Sequence, residues 1–391
     1  MLFGLLFAGL MAEIGLRIFI GRHVDFDQVY RVYDPLLGHV HPADLDVRIP
    51  FEEHPLGYFD LVTNNQGLRE DTPSAYERPP DTLRILVLGD SHTDGTVFNQ
   101  EAYPNVLESL LLEASCQAEV LNGGVAAYDP LKELLWFHYF GRQYEAQIVL
   151  LSLYIGNDLG EVKPFESLQI LDDGQVMIDG EPLKPREQSF QEKLTDLFNK
   201  SYLYSIFRWG VQPILTHERM SADAKSHRIC RGCYFQSLNQ ANLFNDGVLD
   251  YSENLTRMRV VLQTLKEQVE ATGAKFVVVL IPTKRQVEGP DVDIERYQQA
   301  AEALSLAEEA WDLENILLDA LVNTSEEDNL HMLNLLPGLT TDFEAAKTPL
   351  YYFSDWHLNP TGHQAVGREL KTYLTENGLL SETASAPCNV P

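Results

Sequence analysis

Short apolar runs and helical periodicities alternate along most of the chain. Arg84–Leu88 (RILVL) is a β-rich run, and Tyr103–Ala114 follows with Val106, Leu107, Leu110 and Leu111 at helical spacing. Ala118–Leu121 predicts a second strand, Pro130–Phe140 a helix, and Gln147–Tyr154 (QIVLLSLY) a third strand. The rhythm breaks over 161–250. There Asp172-Asp173-Gly174 between two apolar runs predicts a hairpin, and the remainder is irregular and aromatic-rich. It resumes with a helix over Ser252–Thr272, a fourth strand at Phe276–Ile281 (FVVVLI), helices around 294–311 and 313–322, and a weak fifth strand near His331–Leu335. A last helix starts at Pro360, with Asn359 as its N-cap. Strands alternating with helices predict a parallel sheet, and near-continuous apolar strands predict one covered on both faces.

This pattern divides the chain into a main domain over 83–160 and 251–376, an insertion over 161–250 that is a candidate lid, an N-terminal extension over 22–82 packing on the main domain, and a tail over 377–391 expected to be disordered. Residues 1–21 begin with a 20-residue apolar run that at about 1.5 Å per residue just matches a bilayer core, and we expect a transmembrane anchor there. Glu13 and Arg17 interrupt it at a spacing that lets them pair on a helix. A cleaved signal peptide and a buried core helix are the competing readings; no small-residue cleavage site follows the run. Arg17, Arg22 and His23 argue for a cytoplasmic C-terminal side by the positive-inside rule.

Composition narrows the partners. Hydrophobic residues make up 45% of the chain, enough for a real core, and the formal charge is −29. A surface that negative repels phosphate backbones, which excludes nucleic acid as a partner. Of four cysteines, Cys230 and Cys233 form a C-x-x-C with no βαβ pattern around it and no second pair to complete a zinc site. A local Cys230–Cys233 disulfide in an oxidising compartment is the expectation.

Three predicted strand ends finish in short polar or glycine-rich turns: Gly89-Asp90-Ser91, Asn122-Gly123-Gly124 and Gly156-Asn157-Asp158. Ligands bind at the carboxyl ends of strands in an open parallel sheet. A serine at a strand-to-helix turn raises its hydroxyl above the sheet, with backbone N–H donors of the helix start beside it. A glycine at the second turn admits close backbone approach, and an asparagine at the third adds a side-chain donor. Together they can form an oxyanion hole. A serine nucleophile needs a base. Among 11 histidines, His357 lies just before the last helix with Asp355 close enough to hold its other ring nitrogen. His92 and His363 read as structural, Asp90 as an anchor of its turn, and Trp356 either as pocket lining or as packing.

These motifs resemble the blocks of SGNH (GDSL-like) hydrolases. Gly89-Asp90-Ser91 resembles the first block, Asn122-x-Gly124-Val125 the second, Gly156-Asn157-Asp158 the third, and Asp355-x-His357 with Asn359-Pro360-x-Gly362-His363 the last. The chain is similar to bacterial members with an N-terminal membrane helix, in which an N-x-x-G-[LF]-R element, here Asn64–Arg69, precedes the catalytic domain. The resemblance implies a flavodoxin-like three-layer α/β/α fold with a central parallel five-stranded sheet. It further implies Ser91 as nucleophile, the Ser91 and Gly124 N–H groups and the Asn157 side chain as oxyanion donors, and His357 as base backed by Asp355, with no metal or organic cofactor. Two departures stand out: one residue rather than two separates Asp355 from His357, and Ala126 and Ala127 follow Val125 where the family often has glycine. The activity so implied is serine-dependent hydrolysis of an acyl ester, with an O-acyl group on an envelope or extracellular glycan as substrate and the catalytic domain outside the cytoplasm. O-acyl transfer to an exported polysaccharide, as in SGNH-like proteins whose P-x-K element Pro282-Thr283-Lys284 resembles, and a non-catalytic structural subunit of a membrane complex are the alternatives.

Overall fold

The computed structural model describes residues 2–20, 23–24, 30–199, 201–206, 243–245, 248–289, 292, 313–380 and 388. Five parallel strands form the central sheet: β1 (Leu83–Leu88), β2 (Ala118–Asn122), β3 (Ile148–Tyr154), β4 (Lys275–Ile281) and β5 (His331–Asn334), in the spatial order β5-β4-β3-β1-β2. This is the 2-1-3-4-5 order of flavodoxin-like sheets, whose chain reversal between β1 and β3 opens a crevice at the strands' carboxyl ends.

The three central strands are buried on both faces, so they have no solvent-facing polar side, whereas edge strand β5 keeps His331 exposed. Along β4, Phe276, Val278 and Leu280 point to one layer while Val277, Val279 and Ile281 point to the other. The first layer is made by helices Pro130–Tyr139, Ser252–Glu270 and Leu313–Asp328, and the second by Tyr103–Glu113, Leu336–Ala346 and Pro360–Glu376. Burial of these aliphatic side chains, at about 25 cal/mol per Å² of apolar area, is the main term holding the three layers together. The predicted helix around 294–311 lies outside the described residues.

The N-terminal extension adds a strand pair, Asp46–Pro50 with Tyr58–Val62, around a small core of Val47, Ile49, Phe59 and Leu61. In the insertion, Leu168–Ile170 and Val176–Ile178 pair antiparallel across Asp172-Asp173-Gly174. This hairpin docks on the first helical layer, where Gly174 O meets His138 Nε2 at 2.9 Å and Leu168 and Val176 join the core.

Three expectations need correction or fall outside the description. The N-terminal apolar run forms a helix, Leu2–Ile20, but among the described residues no helix is long and apolar enough to cross a membrane. Its two charges are committed within the chain. Glu13 pairs with Arg17 at 2.8 Å and accepts from Ser201 Oγ and the N–H groups of Tyr202 and Leu203, while Arg17 lies over the Tyr202 ring. The tail is not loose throughout. Leu379 and Leu380 are buried in the second layer, and Cys388 forms a disulfide with Cys116, their Cα atoms 4.4 Å apart. Cys230 and Cys233 lie outside the described residues.

Candidate active site

β1 delivers the first turn. Asp90 caps the four-residue helix Ser91–Asp94 by accepting from His92 N at 2.8 Å, which places Ser91 at the first helical position. Backbone N–H groups there have no intrahelical partner and face outward. Beneath the turn, Thr93 Oγ1, Tyr103 Oη and Ser152 Oγ form a buried hydroxyl relay with spacings of 2.7 and 2.6 Å.

The second turn follows β2 and packs directly on the first. A Cβ on Gly124 would stand 2.4 Å from Asp94 N and 2.7 Å from Thr93 Cβ, so only glycine fits. Gly124 N donates to Asn122 Oδ1 at 3.0 Å, and this donor therefore closes its own turn in the resting site. Asn157, after β3, is buried. Its side chain hydrogen-bonds the Glu161 carboxyl, while its Oδ1 has no partner.

The last helix brings His357. Asn359 caps that helix, accepting from Gly362 N at 3.0 Å, and Nδ2 of the same residue ties back to Pro349 O and Tyr351 O. The preceding loop closes on itself through Tyr352 N to His357 O at 3.0 Å and a bridge between Tyr351 and Leu358. From it His357 Nε2 reaches to 2.8 Å from Ser91 Oγ, across 266 residues of sequence. Asp355 Oδ1 lies 2.5 Å from His357 Nδ1 and also accepts from His357 N at 2.9 Å. One intervening residue is thus enough, because the carboxylate reaches ring and backbone of the same histidine.

Electrostatics act on the same groups. Burial alone would lower His357, but the charge and hydrogen bond of Asp355, with Asp90 and Asp94 nearby, lift it above the ordinary histidine value. Burial pushes Asp355 up, and the His357 imidazole outweighs that and holds it below the usual carboxylate range. Asp90, fully buried under the turn, is pushed up to about 6 by burial. His92 is driven far down by burial, and neither ring nitrogen has a partner. It stacks on Tyr154 with centroids 3.9 Å apart and packs beside Trp356 and His357 as an apolar plate. Trp356 stacks on His357 at 4.6 Å. His363 accepts from Tyr103 N through Nδ1 at 3.2 Å, well inside the second layer. Among the described residues no group of three or more His, Cys, Asp or Glu side chains is arranged to hold a metal ion.

Several residues that support the site carried no signal of their own in the sequence. Arg69 is fully buried and donates to Asp94 Oδ1 at 3.0 Å, Asp94 O at 2.5 Å, Gly95 O at 3.0 Å, Val97 O at 2.9 Å and Asn99 Oδ1 at 2.9 Å. Only its membership of Asn64–Arg69 drew attention to it. Lys284 Nζ donates to Phe353 O at 2.8 Å, so Pro282-Thr283-Lys284 buttresses the histidine loop. Glu288 accepts from the N–H groups of Leu350 and Tyr351 at 2.9 and 3.0 Å.

Comparison with known proteins gives structural likeness only. No family model matches the chain, and no curated protein matches it. An acetyl xylan esterase, AlAXEase, is 11% identical over 74% of this chain and 98% of its own, with a TM-score of 0.38. The psychrotrophic esterase EstA from Pseudoalteromonas sp. is 13% identical over 75% and 97%, with a TM-score of 0.36. A two-domain esterase active on acetylated mannans is 10% identical over 79% and 52%, with a TM-score of 0.37.

Proposed function

We propose that the protein is a serine-dependent ester hydrolase acting through an acyl-enzyme. The observation that carries this reading is the continuous hydrogen-bonded series Asp355–His357–Ser91, with each contact at 2.8 Å or less. His357 Nε2 takes the Ser91 hydroxyl proton as Oγ attacks the ester carbonyl, and returns it to the departing alcohol. A water, deprotonated by the same nitrogen, then releases the acid and restores Ser91. The developing oxyanion is met by the Ser91 N–H at the helix start. The Gly124 N–H and Asn157 amide complete the pocket once they turn from Asn122 and Glu161.

An O-acylated glycan is the substrate class we propose, outside the cytoplasm. Trp356 beside the base and the exposed Phe353 ring on the same loop offer apolar faces of the kind that sugar rings pack on. The Cys116–Cys388 bond supports an oxidising compartment.

A serine-directed fluorophosphonate tests the reading. Ser91 in the folded protein is expected to be labelled, and S91A to lose both labelling and at least about 10³-fold of activated-ester hydrolysis. Unlabelled Ser91 in folded protein overturns the enzyme reading. Adding a glycan acceptor separates hydrolysis from transfer, since acylated acceptor outpacing free acid would identify a transferase.

A further inference from the structure

The loop that carries Asp355 and His357 is held at its base by Tyr352 N to His357 O, but its tip projects away from that closure. The tip is met from the opposite end of the sequence. Ser354 N lies 3.0 Å from both carboxylate oxygens of Glu53, and Ser354 Oγ donates to the same carboxylate, across 301 residues. On the other side Lys284 Nζ holds Phe353 O. Asp355 follows immediately, so a shift of Ser354 moves the carboxylate that orients the base.

Glu53 is itself delivered on a stiff support. Residues 51–57 form a tight turn through Phe51 N to Gly57 O at 2.9 Å, His54 N to Phe51 O at 3.1 Å and Gly57 N to His54 O at 2.7 Å. His54, buried next to Glu53, pins the turn to the main domain through Glu101 Oε2 at 3.0 Å. Phe51 packs edge-on against Tyr352 with centroids 4.8 Å apart, and the Tyr352 hydroxyl donates to Thr96 O at 3.0 Å. The strand pair Asp46–Pro50 and Tyr58–Val62 closes the base of the turn. A carboxylate gripping a backbone N–H and a hydroxyl at once is a charge-assisted, two-point contact, stronger than a neutral one. Its partners are one residue from the carboxylate behind the base.

We infer that Glu53 is a positioning residue for the reaction, fixing the Ser354–His357 loop so that Asp355 meets His357 Nδ1 and Nε2 meets Ser91. The inference rests on the ester-hydrolase reading for its kinetic consequence. The N-terminal extension is then part of the active site's framework, because it supplies a contact that reaches Ser354 from outside the catalytic domain's own loops.

The test compares E53A, E53Q and wild type as full chains. With p-nitrophenyl acetate, E53A is expected to lose about 10- to 100-fold in kcat with KM changed by no more than about twofold, because a misplaced base slows chemistry more than it weakens binding. The acid limb of its pH profile moves down, toward the ordinary histidine value, as Asp355 loosens its hold. E53Q keeps an acceptor for Ser354 N and a polar group for Ser354 Oγ without the charge; it is expected to stay within about fivefold of wild type, with the limb unmoved. Amide hydrogen exchange gives an arm independent of activity: peptides covering 353–357 exchange faster in E53A than in wild type, while the strands β1, β3 and β4 do not. Unchanged kcat in E53A, or E53A and E53Q equally slow with the same exchange at 353–357, overturns the inference. Should wild type hydrolyse nothing and Ser91 resist the probe while exchange at 353–357 still rises in E53A, the hydrolase reading fails and Glu53's hold on the loop stands.

Discussion

At the scale of single residues, the proposed mechanism makes the state of His357 control the pH response. The base must be neutral to accept the Ser91 proton, and Asp355 lifts its pKa above the ordinary 6.5. Activity therefore falls as pH drops through that raised value, and the acid limb of kcat/KM is expected above 6.5. In D355N the lift is lost and the ring can take the wrong tautomer. A fall in kcat of up to about 10⁴-fold is expected, with the limb displaced downward, and a pH–rate series on both proteins checks it. An Asp355 variant with an unmoved limb and near-normal kcat would show that another group orients the ring.

Ser91, Asn157 and His357 illustrate what residue types disclose. Ser91 and His357 could be named because Gly-Asp-Ser at a strand end and Asp-x-His just before the last helix occur together with the Asn122–Gly124 and Gly156–Asp158 turns in the order of the resembled motifs; neither alone would single them out among 11 histidines. The resting engagement of Gly124 with Asn122 and of Asn157 with Glu161 could not be read, since it depends on side-chain rotation within turns whose sequence is unchanged by it.

At the scale of elements, Asn64–Arg69 is the piece that locks the first two turns of the site together. Asn64 Oδ1 accepts from Gln66 N and Leu68 N at 2.9 and 3.1 Å, and Gly67 has a φ of 79° with a Cβ position only 2.7 Å from His41 O. That tight turn aims Arg69 under the Ser91–Asp94 helix, where its guanidinium binds the backbone carbonyls of Asp94, Gly95 and Val97 and the Asp94 carboxylate, while its own N–H donates to Asn122 O at 3.0 Å. Burial would push Asp94 up, but His41 and Arg69 bring its carboxyl well below the usual range. That depressed carboxyl adds stability above its unfolded value of 3.8, lost as pH falls below it. R69A leaves Asp94 buried without its guanidinium and is expected to cost about 3–5 kcal/mol, read as a lower urea midpoint. R69K should recover little, because an ammonium cannot span the fork's acceptors. A midpoint for R69A equal to wild type would refute the clamp.

Most helices and strands of the main domain were legible because each buries a continuous or periodic apolar face; Leu336–Ala346, a helix of the second layer, was not anticipated. The central strands are the clearest case, as the middle of a sheet covered on both sides needs unbroken runs such as FVVVLI, whereas the edge strand His331–Asn334 gave only a weak signal. Hydrophobic length in the N-terminal run suggested a bilayer; what the pattern could not show is that Glu13 finds partners at Ser201, Tyr202 and Leu203, 188 to 190 residues on.

At the scale of the whole molecule, the Cys116–Cys388 bond fastens the segment after the last helix to the turn just before β2, closing a span of 272 residues. Cross-links over long spans remove the most freedom from the unfolded chain, and C116S with C388S is expected to cost about 2–5 kcal/mol. Thermal melts with and without reductant measure this. Wild type should lose more stability on reduction than the double variant, which keeps only Cys230 and Cys233, and an equal response in both would show that the Cys116–Cys388 bond contributes nothing.

The order of apolar and polar residues by itself determined the parallel sheet and its layers, because a strand or helix must declare which of its faces is buried in its own residues. It also marked the strand-end turns where a nucleophile and its oxyanion donors could sit, since these interrupt apolar runs, and the loop before the last helix as a place for its base. Only the tertiary structure decided the contacts between distant segments: Glu53 on Ser354, Arg69 under Asp94, Glu13 on Ser201, and Cys116 with Cys388. Each joins two groups whose local sequences are ordinary, and their pairing follows from how the layers stack rather than from any pattern along the chain.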